Sequence, residues 1–144
     1  MKIHAYLNFA GRTEEAMRFY AEVLGGKLSE IHRFGSMPQD GEFQLTPEQQ
    51  NQVLHVSLEL PDGQMLMASD VLEGISPRRV EGNNVSLSVH PDSKREADRI
   101  FHGLADGGEV TMPLADQFWG DYYGSLIDRF GMNWMVNYSP QGAQ

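Results

Sequence analysis

Ile3-His4-Ala5-Tyr6-Leu7-Asn8-Phe9, followed after a short gap by Thr13-Glu14-Glu15-Ala16, decides the architecture of this chain. Ile3, Ala5, Leu7 and Phe9 alternate with more polar residues, the pattern of a strand with one buried face. Thr13 stands where a helix N-cap belongs, and Glu14 and Glu15 suit the positive end of a helix dipole. Ala16, Phe19, Tyr20, Val23 and Leu24 then fall at three- and four-residue steps, and Gly25-Gly26 ends the helix.

The same order returns roughly 80 residues later, which is the signature of an internal duplication. Val85, Leu87 and Val89 alternate with Asn84, Ser86, Ser88 and His90. Ser93 and Glu96 have capping-box spacing, so each side chain can satisfy an amide left unpaired at the helix start. Ala97, Ile100, Phe101 and Leu104 form the apolar stripe, and Gly107-Gly108 closes the helix. Each half also ends on a hairpin. Pro61-Asp62-Gly63 leads into Gln64–Ser69, and Arg129-Phe130-Gly131 leads into Met132–Asn137. Val53–Leu60 carries the clearest alternation, with Leu54, Val56, Leu58 and Leu60 expected toward the helix and His55, Ser57 and Glu59 away from it. Trp134 is expected in the helix-facing core. Two stretches, Gly35–Gln52 and Met112–Asp128, break the periodicity and read as loops, the second rich in aromatics at Phe118, Trp119, Tyr122 and Tyr123.

The composition narrows the function classes. The 144 residues fit one domain and suffice for a core. A formal net charge of -9 opposes docking on phosphate backbones, so nucleic acid is not an expected partner. No apolar run approaches the roughly 20 residues of a membrane span, and Met1–Ala5 lacks a signal-peptide core, so the expected location is the cytoplasm, with no membrane partner. Without cysteine there is neither a disulfide framework nor thiol chemistry. The chain also lacks a Gly-x-Ser-x-Gly nucleophile elbow and a phosphate-binding Gly-x-x-x-x-Gly-Lys-Ser/Thr loop. Its glycine pairs follow helices rather than strands, which does not suit a dinucleotide-type cofactor loop or a methyltransferase.

In order along the chain, Tyr6-Leu7-Asn8-Phe9, Glu14-Glu15-Ala16, Phe19-Tyr20, Leu24-Gly25-Gly26, Leu66-Met67-Ala68-Ser69-Asp70, Glu96-Ala97-Asp98, Gly107-Gly108, Met112-Pro113-Leu114, Trp119-Gly120 and Asp128-Arg129-Phe130-Gly131 resemble the PhnB-like family of the vicinal oxygen chelate superfamily, the glyoxalase, bleomycin resistance protein and dioxygenase group. The resemblance implies an α+β fold: a single domain over 1–144 in which two βαβββ modules, about 1–72 and about 80–140, form curled mixed sheets around a shared cleft. It also implies a homodimer.

Metal enzymes of that superfamily draw ligands from four strand positions, which the resemblance places at His4, Met67, Asn84 and Met135, the first assignable to within a residue. Only His4 suits a hard divalent ion, because a thioether is soft and a neutral amide adds little. His55 and Glu59 lie four residues apart on one strand, roughly 13 Å, too far to share an ion. The expectation is therefore a chain with no cofactor and no metal, binding a small organic molecule for sequestration, sensing or carriage. The candidate cleft residues are His4, Tyr6, His55, Met67, Asn84, Trp119, Tyr122 and Met135. The competing expectation is an enzyme of glyoxalase or dioxygenase type, with a relocated metal or with acid/base catalysis by His4, His55 or Glu59. Trp119, Tyr122 and Tyr123 suit stacking on a planar ligand and equally suit packing at a sheet rim. Asp128 is read as a structural turn residue.

Overall fold

A computed structural model describes residues 1–38 and 44–140. The chain divides into two compact units, Met1–Val80 and Glu81–Gln144. No described helix is long and apolar enough to cross a membrane.

The first unit runs β1 (Ala5–Phe9), α1 (Thr13–Leu24), β2 (Lys27–Leu28), β3 (His32–Arg33), a 3-10 turn at Phe34–Ser36, α2 (Pro47–Asn51), β4 (Val53–Glu59) and β5 (Met65–Asp70). Its mixed sheet has the order β1-β5-β4-β2, with β3 also pairing β4. β1 is parallel to β5, a pairing that requires a long crossover, and α1 lies within it. The remaining pairs are antiparallel. Between β4 and β5 the chain reverses at Gly63, whose φ of +88° only glycine adopts without strain, and the Gly63 amide donates to the Leu60 carbonyl.

Pleating sends Leu7, Phe9, Val56, Leu58, Leu66 and Ala68 to one face, where they bury the Ala16, Met17, Tyr20 and Val23 side of α1. Val53 is buried as well, whereas Leu54 and Leu60 are only half-buried. The Thr13 expectation needs correction. Thr13 is the first helical residue, Arg12 holds the cap position without a side-chain bond, and the Thr13 hydroxyl donates to Asp70 Oδ1 at 2.7 Å. A buried carboxylate one strand away is the stronger acceptor and draws the hydroxyl from the capping position.

The second unit repeats this plan with β6 (Leu87–Val89), α3 (Lys94–Ala105), β7 (Glu109–Asp116), β8 (Tyr122–Ile127) and β9 (Asn133–Tyr138) in the order β6-β9-β8-β7. β6 is parallel to β9. Ser93 caps α3 by accepting the Glu96 amide, and Ala97, Ile100, Phe101 and Leu104 are all buried. The Glu96 carboxylate turns instead to Arg99. Gly131, at φ +89°, makes the β8–β9 turn as Gly63 makes its counterpart. The Asp128 carboxylate accepts the Phe130 and Met132 amides and the Trp134 indole N–H, which fixes the turn and seats the buried Trp134.

The stretch Met112–Asp128, expected as a loop, is mostly sheet: the end of β7, a turn at Gln117–Asp121, and β8. Its alternation is masked because β7 is an edge strand with Pro113 in it and two register shifts, between Val110 and Met112 and between Met112 and Ala115. The first unit interrupts the equivalent strand outright, as β2 and β3. The other expected loop, Gly35–Gln52, contains α2, whose Thr46 and Gln49 form a capping box. Residues 39–43 of that stretch lie outside the described residues.

Candidate functional site

Because α1 covers one face of the first sheet, the residues alternating with the core occupy the other. Tyr6, Asn8, His55, Ser57, Glu59, Met65, Met67 and Ser69 share this open face. Met67 stands beside Tyr6 on β1 and opposite Ser57 on β4. Tyr6 is 45% exposed, and its hydroxyl lies 3.2 Å from His55 Nδ1. The two rings are tilted at 34° with centroids 5.8 Å apart. On the far side of the imidazole, Nε2 lies 3.1 Å from Ser57 Oγ. His32 of β3 is the cross-strand partner of His55, and Lys27 of β2 is that of Glu59. Tyr6–His55–Ser57 is thus a continuous hydrogen-bonded chain on a face that its own unit leaves open.

The second sheet has an equivalent row. Met135 stands beside Ser88 and opposite Ser125, repeating the methionine–serine pair of the first unit. Ser125 bonds to Thr111 at 2.7 Å and Ser88 to His90 at 2.9 Å. Tyr123 lies opposite Asn137, whose amide donates to the buried Asp121 carboxylate. From Tyr123 an aromatic row continues into the β7–β8 turn: Trp119 at a centroid distance of 6.3 Å, then Phe118 edge-on at 4.9 Å. Trp119 is 52% exposed and Phe118 98%.

Tyr122 does not share that face. It alternates with Tyr123, pairs with Tyr138 on the α3 side, and donates its hydroxyl to Asp98 of α3 at 2.5 Å. Lys94 sits 4.5 Å over its ring. The bond to Asp98, with burial adding to it, pushes the phenol up to about 12. The expectation that Tyr122 lines a ligand cleft beside Trp119 is therefore corrected, since adjacent strand residues point to opposite faces.

Among the four ligand-equivalent positions, Met67 and Met135 lie on open faces, whereas His4 and Asn84 precede β1 and β6. The side chains beside the methionines are the Tyr6 phenol and the Ser88 hydroxyl. Thioether and neutral hydroxyl groups do not fit a hard divalent ion, which prefers imidazole and carboxylate. His55 and Glu59 occupy opposite ends of β4. Four residues apart on an extended strand, roughly 13 Å, they are too far from each other to share one ion. No three His, Asp or Glu side chains among the described residues come together to hold an ion.

Ser57 and His32 were not singled out from sequence, although the His55-x-Ser57 spacing on one strand face was legible. The bond from Tyr6 was not, because it depends on β5 bringing β1 toward β4.

The model of the family described as 3-demethylubiquinone-9 3-methyltransferase matches residues 1–137. Protein PA1353 from Pseudomonas aeruginosa is 36% identical, with a TM-score of 0.83 over 96% of this chain and 98% of that one. The PhnB protein from Bacillus cereus, which also bears the 3-demethylubiquinone-9 3-methyltransferase name, is 27% identical with a TM-score of 0.74 over 96% and 100%. A glyoxylase/bleomycin resistance protein/dioxygenase domain from Frankia sp. EAN1pec shares the fold at 16% identity, with a TM-score of 0.67 over 99% and 94%. The duplicated strand–helix–hairpin units and these likenesses agree: the chain belongs to the PhnB-like 3-demethylubiquinone-9 3-methyltransferase family, within the glyoxalase/bleomycin resistance protein/dioxygenase fold.

Proposed function

We propose that this protein binds a small organic molecule, without a metal, on the open face of its first sheet around Tyr6, His55 and Met67. The observation that carries the reading is the composition of that face. A polarizable thioether lies beside a half-exposed phenol and a hydrogen-bonded imidazole, where a metal enzyme would need hard ligands. Such a face offers an apolar contact and a few oriented polar groups, the mixture small-molecule sites use. The methyl transfer in the family's description is not part of the proposal. Both glycine pairs follow helix C-termini, with Gly25 at φ +70° and Gly107 at φ +78°, and neither opens a helix after a strand.

Methionine-methyl NMR of chelator-treated protein, screened against small organic fragments, tests this. Bound fragments should shift the Met67 methyl and leave that of Met17, buried under α1, in place. Binding that appears only after a transition metal is added, or fragments that never perturb Met67, would overturn the proposal.

A further inference from the structure

Histidines differ in what their hydrogen bonds allow them to do. His102 Nδ1 contacts the Asp98 carbonyl, an acceptor only, so that nitrogen must carry a proton. His90 is held through Nε2 by Ser88, the one hydrogen-bond partner it has among the described residues. Among the described residues only His55 has a hydroxyl on each ring nitrogen, Tyr6 on Nδ1 and Ser57 on Nε2. A hydroxyl both donates and accepts, so His55 passes between either neutral tautomer and the imidazolium without losing a bond. Its anchoring is indifferent to its charge, which is what an acid/base group requires.

The groups around it favour a particular occupant. Among the residues that strand pairing places on this face, the titratable side chains are Tyr6 from β1, His32 from β3 and, further along the sheet, the Glu59–Lys27 pair of β4 and β2. β5 contributes only Met65, Met67 and Ser69 to this face. Lys27 is opposed by Glu59, and the chain carries a formal net charge of -9, so a preformed anion gains little here. A neutral molecule that ionises after binding avoids that penalty, because its proton creates the countercharge in place.

We propose that His55 is an acid/base group for a small, weakly acidic molecule, a phenol or an enol, bound beside Met67; this rests on the small-molecule reading of the face. The ligand O–H bond breaks as its proton passes to Ser57 Oγ, while the Ser57 proton passes to His55 Nε2. Nδ1–H meanwhile donates to the Tyr6 oxygen. The products are the ligand oxyanion and an imidazolium, with Ser57 now donating to the oxyanion. No electrons are transferred and no further reactant is consumed.

The test uses 4-nitrophenol, whose ionisation is read by visible absorbance, with 4-nitroanisole as a probe of similar shape that cannot ionise. Wild type, His55→Gln and Ser57→Ala are compared, the glutamine retaining polar contacts to Tyr6 and Ser57. Bound 4-nitrophenol should be ionised in wild type at about pH 6, its midpoint lowered by about one unit relative to His55→Gln, a tenfold change in ionisation. Ser57→Ala should lose most of this shift while still binding 4-nitroanisole. If both probes bind but the phenol keeps one midpoint in wild type and His55→Gln, the acid/base assignment falls and the binding reading stands. If neither probe binds, both fall. If the probes enter only on dilution, a second copy of the chain covers the face and the proposal is overturned.

Discussion

Asp70 holds distant parts of the first unit to the end of β5, and replacing it with alanine measures what that is worth. The residue is 4% exposed and stands at the end of β5. Oδ1 accepts the Gly11 amide at 2.8 Å, the Thr13 amide at 3.2 Å and the Thr13 hydroxyl at 2.7 Å. Oδ2 accepts the Val53 amide at 2.9 Å. One side chain therefore ties the β1–α1 connection, the first turn of α1 and the start of β4 to β5. In Asp70→Ala the buried Thr13 and Val53 amides lose their acceptor, costing about 1–3 kcal/mol each. Gly11 is exposed and the Thr13 hydroxyl can rotate, so these add only about 0.5–1.5 kcal/mol each. The expected loss of about 3–9 kcal/mol is a large part of the roughly 5–15 kcal/mol that holds a domain folded. Asp70→Asn keeps an acceptor toward Gly11 and Thr13 but turns an N–H donor toward Val53, so it should cost about 1–3 kcal/mol. Urea unfolding followed by far-UV circular dichroism gives both values, and hydrogen exchange at the Val53 amide reports the local effect. An alanine variant within about 1 kcal/mol of wild type, or one less perturbed than the asparagine variant, would refute the role assigned to Asp70.

Three further outcomes follow from the second unit. Gly124→Ala places a Cβ 2.8 Å from both Leu114 Cα and Phe101 Cε2, and should lower stability by about 1–3 kcal/mol in denaturant titrations because the β7 backbone must shift. Ser93→Ala removes the acceptor for the Glu96 amide and should cost about 1 kcal/mol, seen as a lower melting temperature. Tyr122, raised from 10.0 to about 12, stabilises the fold through its bond to Asp98 below pH 10 and loses that contribution as pH rises through about 12. A tyrosinate absorbance titration should accordingly lose one late-ionising tyrosine in Tyr122→Phe, while the buried Tyr20 is unaffected by the substitution.

The duplication was legible because both halves carry the same periodic signals. The α3 stripe of Ala97, Ile100, Phe101 and Leu104 and the inward Trp134 follow directly from strand and helix periods. The same alternation placed His55, Ser57 and Glu59 on the face opposite Val56 and Leu58. Periodicity failed where the ladder itself is irregular. The bulges of β7 disguised a strand as a loop, and with that hairpin unrecognised, the alternation separating Tyr122 from Tyr123 was lost.

What the sequence alone determined is the fold class, the two-module order and which residues of each strand share a face, since these depend on local periods that every segment carries by itself. What only the tertiary structure decided is which distant residues meet. Whether β1 lines up so that Tyr6 or His4 flanks Met67, and whether the Tyr6 hydroxyl reaches His55 49 residues away, depends on pairing register across β5. Thr13 likewise bonds to Asp70, 57 residues distant, because the crossover brings a buried carboxylate within reach. Register and long-range hydrogen bonding are set by the competition among all strands for neighbours, and no single segment encodes that competition.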